Sequence, residues 1–243
     1  MPLSACGWKP RPSHRRRPRF WLTAPPSGWS GSGVDDADLL RNGLAAPDRP
    51  GRVLFLACGA LAREILALIE LNGWDHADLA CLPAILHNHP DRIAPAVADA
   101  VQRHREHYAR IFVVYADCGT GGALARVCEG MGVEMLAGPH CYSFFSGDAA
   151  FAARAEEEFT AFYLTDFLVR QFDAFVIRPL GLDRHPELRD AYFGHYEKLV
   201  HLAQAEDATL DARARDAAAR LGLAHERRFT GYGDLAPALA RQV

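Results

Sequence analysis

The chain has no run of about 18 apolar residues, so nothing in it reads as a transmembrane helix. It has no strong charge of either sign. A formal net charge of −3 and a pI near 6.4 leave no basic footprint for nucleic acid or for a membrane surface. It lacks the paired CxxC knuckles of a structural zinc ribbon or finger. It lacks GxGxxG spacing and a P-loop lysine in its one glycine-rich turn, which weakens a nucleotide-binding reading. No internal repeat stands out. Six cysteines, at Cys6, Cys58, Cys81, Cys118, Cys128 and Cys141, are too scattered for a secreted disulfide framework. In a cytoplasmic protein they read as thiols, ligands or nucleophiles.

What is there is a chain of 243 residues, 49% of them hydrophobic. That length fits one large domain, or one domain with a small appendage, and a core of that size needs no disulfide staples. Residues 1–50 differ from the rest. They carry the basic cluster from His14 to Arg19, are rich in Pro, Gly and Ser, and show no apolar period. They read as a disordered extension, and a start near Arg52 would account for them. A twin-arginine export signal fits less well, because no apolar stretch follows the arginines.

From Arg52 the pattern alternates. Residues 52–57, 77–82, 111–115 and 133–137 read as strands. Residues 61–71, 90–108 and 122–131 carry helical periodicity. This order predicts an α/β fold with a parallel-sheet, Rossmann-like core and helices on both faces, in a single domain over residues 51–243. Beyond Cys141 the reading is mostly helical: 144–162, 164–173, two helices within 185–204, 205–221 and 234–241, with short strands at 174–177 and 226–229.

Three cysteines share one position in this pattern. Cys58 follows RVLFLA, Cys118 follows IFVVYAD, and Cys141 follows VEMLAGPH. Each closes a strand or the turn after it, and the carboxyl ends of parallel strands open on one crevice. Any one of them alone reads as a small buried residue. Three at equivalent positions predict a shared metal or thiolate site with Cys58, Cys118 and Cys141 as ligands. Gly59, Gly119, Gly121 and Gly122 would permit the tight turns and the close approach of a ligand. His87 and His140 are candidate ligands or acid–base groups. Asp117 is a candidate orienting group or an ordinary helix-start aspartate. Cys81 and Cys128 read as structural. Asp166 is most simply a helix cap, and Tyr196, His201 and Gln204 share one predicted helix.

The run from Cys58-Gly-Ala-Leu through 82–88 (LPAILHN), 115–122 (YADCGTGG), 138–142 (GPHCY) and 164–167 (LTDF) to 180–186 (LGLDRHP) resembles the bacterial and archaeal family catalogued as domain of unknown function 1638, over about residues 52–240. The resemblance implies a link to one-carbon and corrinoid metabolism. It therefore implies a corrinoid protein or methyltransferase as partner beside a small-molecule substrate. The Asp-x-His-x-x-Gly run that binds corrinoid directly is absent. Three readings follow. The first is a metal-dependent enzyme, a transferase or lyase with zinc or an iron–sulfur cluster. The second is a metal-free thiol enzyme with Cys118 as nucleophile. The third is an accessory module that docks a corrinoid protein.

Overall fold

The computed structural model describes residues 33–154 and 158–243. In chain order the N-terminal half runs α1 (Asp36–Arg41), β1 (Gly51–Cys58), α2 (Ala62–Asn72), β2 (Ala77–Leu82), α3 (Pro90–His104), β3 (Tyr108–Val114), α4 (Ala123–Met131) and β4 (Glu134–Met135). The remainder runs α5 (Ser143–Ser146), α6 (Asp148–Arg154), β5 (Ala161–Thr165), α7 (Asp166–Arg170), α8 (Arg189–Phe193), β6 (Lys198–Ala203), α9 (Ala208–Leu221), β7 (Ala224–Phe229) and α10 (Leu235–Ala240). No helix among the described residues is long and apolar enough to cross a membrane.

The first sheet is parallel, in the order β2-β1-β3-β4. Its central strands are apolar on both faces because helices cover both, as parallel sheets require. The chain leaves β1 for β2 on one side, then jumps across β1 to β3 on the other. The strand order therefore reverses between β1 and β3, and the carboxyl ends of strands at such a reversal frame the binding crevice of an open α/β sheet. Cys58 is the last residue of β1, and Tyr115 directly follows β3.

The helical reading of residues 144–204 hid a second parallel sheet, β5-β6-β7. Residues 161–165 are a strand rather than the end of a long helix. Residues 198–203 are a strand rather than half of a helix pair, and residues 173–177 form a π-helical turn rather than a strand. In a strand, alternate residues face opposite ways. His201 therefore sits inside the protein with Leu199 and Ala203 rather than on a polar helix face, and it is fully buried. Its ring nitrogen Nε2 lies 2.8 Å from Oδ1 of Asp166, and Oδ2 of Asp166 accepts from the backbone N–H groups of Gln204 and Ala205. Asp166 is thus a buried clamp between the ends of β5 and β6. Thr165 is the helix cap, accepting from Leu168 N–H.

Residues 1–32, including Cys6, lie outside the described residues. The rest of the expected extension is folded. Asp35 caps α1 through Ala37 N–H, Leu39 is buried at 1% exposure, and Leu44 exchanges backbone hydrogen bonds of 2.9 and 2.8 Å with Cys81. This segment covers the open edge of β2, where bare strand groups would otherwise invite pairing with another chain. A domain boundary at residue 50 cuts through this packing. One hydrophobic core then runs from Leu39 through β1 and β3 to Phe167, Leu199 and Leu235.

Candidate functional site

The two sheets meet at a narrow cleft. Cys58, Leu61, His87, Cys141, Tyr142 and Phe145 wall it from the first sheet, and Thr165, Leu168 and Phe175 wall it from the second. Its cavity is about 30 Å³. A single water needs roughly 10–15 Å³, so the space suits one ion or a group of very few atoms. Apart from the thiols and His87 the walls are largely apolar.

The backbone explains why the thiols converge. Beyond β4 the chain continues alongside the segment that follows β3: Asp117 N–H donates to Gly138 O and Cys118 N–H to Pro139 O, each at 3.0 Å. That pairing lays residues 138–141 beside 117–118. The sulfurs of Cys118 and Cys141 come to 3.2 Å. Cys58 approaches from β1, whose register sets Ala57 opposite Val114 and hence Cys58 beside Tyr115. The residue after Cys58 must be small, because a Cβ on Gly59 would stand 2.7 Å from the carbonyl oxygen of Leu39. Gly59 therefore serves the close approach of α1 to this turn.

Cys118 has φ +47, the one described non-glycine residue with positive φ. A left-handed cysteine is held there by its surroundings rather than by its own preference. The holder is Asp117. Its carboxylate accepts from Thr120 Oγ1 at 2.7 Å, Gly121 N–H at 3.1 Å and Gly122 N–H at 2.7 Å, and these bonds keep its carboxyl below the usual range. The loop 119–122 is therefore an anion nest filled by the chain's own carboxylate. Gly121 (φ +61) and Gly122 (φ +79) supply its curvature, and Gly119 packs near Pro90.

The thiols are electrostatically unequal. The hydrogen bond from Cys141, and then the one from His87, pull the Cys118 thiol well below the ordinary range. The same bond and burial push Cys141 well above it. Burial raises Cys58 to about 12, and the nearby Tyr115 hydroxyl opposes that rise only weakly. In the pair Cys118–Cys141 a shared proton is thus favoured on Cys141 and the thiolate on Cys118. A thiolate is both nucleophile and soft metal ligand. All five described cysteines are free.

Of the predicted residues, the structure brings together Cys58, Cys118, Cys141 and His87. His87 is exposed at the rim, edge-on to Phe175 at 6.0 Å. Asp117 stands behind the site as an anchor. His140 stacks on Tyr142 at 4.9 Å, and Tyr142 stacks on Tyr163 at 5.7 Å. The His140 ring thus lies against an aromatic face. Tyr196 packs in an aromatic cluster with Phe162 and Phe193, away from the cleft walls. Among the described residues no group of three or more His, Cys, Asp or Glu side chains stands in metal-ligating geometry, so a shared ion would have to draw the thiols closer around itself.

Two groups were missed by the sequence reading. Tyr115 is buried with its hydroxyl among the Cys58, Cys81 and Cys141 thiols. The only signal for it was its place in register with Cys58. Glu64 of α2 is 4% exposed. Burial raises its carboxyl to about 7 against the pull of Arg170, and it reads in the sequence as an ordinary first-turn glutamate.

The family described as "Protein of unknown function (DUF1638)" matches residues 81–239. The chain belongs to this family. The match takes in Cys118, Cys141, His87 and both halves of the cleft, while Cys58 lies N-terminal to it. No curated protein and no solved structure matches the chain.

Proposed function

We propose that the cleft is a soft-ligand centre in which Cys58, Cys118 and Cys141 hold zinc, or an iron–sulfur cluster around which the walls of the small cavity would have to part. On this reading the chain is a metal-dependent transferase or lyase acting on a small molecule. The observation that carries it is the meeting of three thiols and one imidazole from separate strand ends at the point where the strand order reverses. Thiolates select zinc and iron–sulfur clusters over hard cations. Three protein ligands leave one position open for substrate, as catalytic zinc sites do. Cys118 is the thiol most readily ionised, and Cys58 and Cys141 would release their protons on binding. The metal would supply Lewis acidity. His87 at the rim would hold or deliver a proton, and the Tyr115 hydroxyl would tune the Cys58 sulfur from behind. A corrinoid protein or methyltransferase as partner rests on the resemblance alone.

A second reading is a metal-free thiol enzyme with Cys118 as nucleophile and His87 as its base. The 3.2 Å contact between Cys118 and Cys141 favours it, because that contact holds a thiolate without any metal. Anaerobic purification, with metals and acid-labile sulfide counted per chain, separates the two. Stoichiometric zinc, or iron with sulfide, that is lost in both Cys118→Ala and Cys58→Ala supports the metal centre. A metal-free chain with one fast-alkylating cysteine overturns it in favour of the thiol enzyme.

A further inference from the structure

The turn Asp173–Ile177 serves two spaces. Phe175 faces the thiol cleft, while Asp173 and Ile177 line a separate groove of about 520 Å³. The groove has an apolar floor of Ile177, Leu182 and Pro186. Three guanidiniums stand over it, from Arg178, Arg189 and Arg220, with the carboxylates of Asp173 and Asp183. A hollow of about 220 Å³ continues it, sharing Asp173, Arg178 and Arg220 and adding Arg170 and Arg213 together with the carboxylate of Asp216. The segment 180–186 forms part of this wall, and no chemistry of the thiol cleft uses it.

The arginines are not equivalent. Arg170 is paired with Asp36 at 2.7 Å, Arg189 with Asp190 at 2.6 Å, and Arg220 with Asp173 at 2.8 Å. Arg178 and Arg213 contact backbone carbonyls, Asp173 O at 3.4 Å and Arg170 O at 2.9 Å. Among the described residues neither has a carboxylate within ion-pair distance. Two guanidiniums thus flank the continuous groove with donors to spare. Arg220 is held rigid between them by its bond to Asp173 and by the Phe172 ring, 5.2 Å from its guanidinium carbon. Planar guanidinium forks match the oxygens of a phosphate group. The apolar floor suits an organic body, and the Asp173 and Asp183 carboxylates can accept from its hydroxyls. A cavity of this volume falls in the range of small-molecule sites.

We infer that this groove is a binding site for a small organic phosphate, with the phosphate held by Arg178, Arg213 and Arg220 and the hydroxylated body over Ile177 and Leu182. The site is independent of the thiol centre and stands whether or not that centre holds a metal.

Calorimetric titration of the full chain tests it, with ribose 5-phosphate, inorganic phosphate and neutral ribose as probes. Saturable binding of ribose 5-phosphate is expected, tighter than inorganic phosphate, with none for ribose. Arg178→Ala and Arg213→Ala should each weaken it about tenfold, the loss expected for a charge-assisted contact. Arg110→Ala, on the other sheet, should leave it unchanged. Both variants alter exposed side chains, so unchanged thermal unfolding serves as their control. No saturable binding at millimolar ribose 5-phosphate, or equal binding by wild type and both variants, overturns the inference. Equal affinity for inorganic phosphate would also overturn the organic-body part of it.

Discussion

The sulfur of Cys118 lies 3.2 Å from the sulfur of Cys141, although the two residues close different strand units. The contact exists because residues 138–139 pair with the backbone of 117–118, and because Asp117 clamps the loop in which Cys118 takes a left-handed conformation. Sequence order supplies the cysteines, backbone pairing joins them, and a carboxylate one residue away fixes the geometry.

The first prediction concerns reactivity. The thiolate is the form that alkylates, and Cys118 is the described cysteine whose thiol is lowered. Iodoacetamide should therefore label Cys118 at mildly acidic pH, where Cys58 and Cys81 stay protonated. Cys141→Ala removes the largest cause of that lowering. The midpoint of the labelling profile should then rise toward the ordinary thiol value of about 8.5. His87→Ala should move it in the same direction by less. Peptide mass mapping across pH reads all three, and an unmoved midpoint in Cys141→Ala would refute the shared-proton pair.

The second prediction concerns the clamp. Asp117→Ala removes three acceptor contacts from the 119–122 loop. It should cost about 3 kcal/mol of stability at most, since each partly exposed bond is worth about 1 kcal/mol net. It should also slow Cys118 alkylation at acidic pH, because the loop no longer holds the thiol against its partners. Asp117→Asn keeps an acceptor oxygen and should recover most of the rate. If Asp117→Ala lost stability while Cys118 kept its full reactivity, Asp117 would have no part in positioning it.

The third prediction concerns the second sheet. Asp166 is 2% exposed and satisfies His201 and two backbone N–H groups. Asp166→Ala leaves all three without that partner, including a histidine with no exposure. Each buried polar group left without its hydrogen-bond partner costs about 1–3 kcal/mol, so a loss of about 3 kcal/mol or more is expected. Urea denaturation should show that loss as a lower midpoint with an unchanged slope. A loss below about 1 kcal/mol would place Asp166 among ordinary helix-start residues.

How much of this was legible in the sequence depends on the element. β1, β2 and β3 are short apolar runs bounded by turns, and α3 opens on Pro90, so the first sheet and its parallel order were readable from local pattern. That order set Cys58, Cys118 and Cys141 toward one sheet end, but the pairing of residues 138–139 with 117–118 that brings two of the sulfurs together was not readable. β6 was not readable, because Lys198 and His201, with Gln204 just beyond its end, give it a polar look that only a buried partner explains. That partner is Asp166, 35 residues away from His201. Tyr115 and Glu64 were hidden for the same reason, since their meaning comes from what faces them across the fold. The place of residues 36–44 over β2 was hidden by the low-pattern stretch that precedes it.

The last prediction concerns Glu64, whose folded-state value of about 7 lies above the usual carboxylate value of 4.5. A raised carboxyl means that the folded chain holds a proton that the unfolded chain has released. Stability from this group is therefore fully present below pH 4.5 and falls as pH rises from 4.5 through 7. Arg170 opposes the shift but does not cancel the burial. Glu64→Gln keeps the shape and removes the titration. It should match the wild type near pH 4.5 and exceed it above pH 7, by at most about 3 kcal/mol for a shift of this size. Chemical denaturation at pH 5 and pH 8 measures the difference. A wild type whose stability is flat across that window, or a variant that is less stable at pH 8, would show that Glu64 is ionised in the fold and held by Arg170 instead.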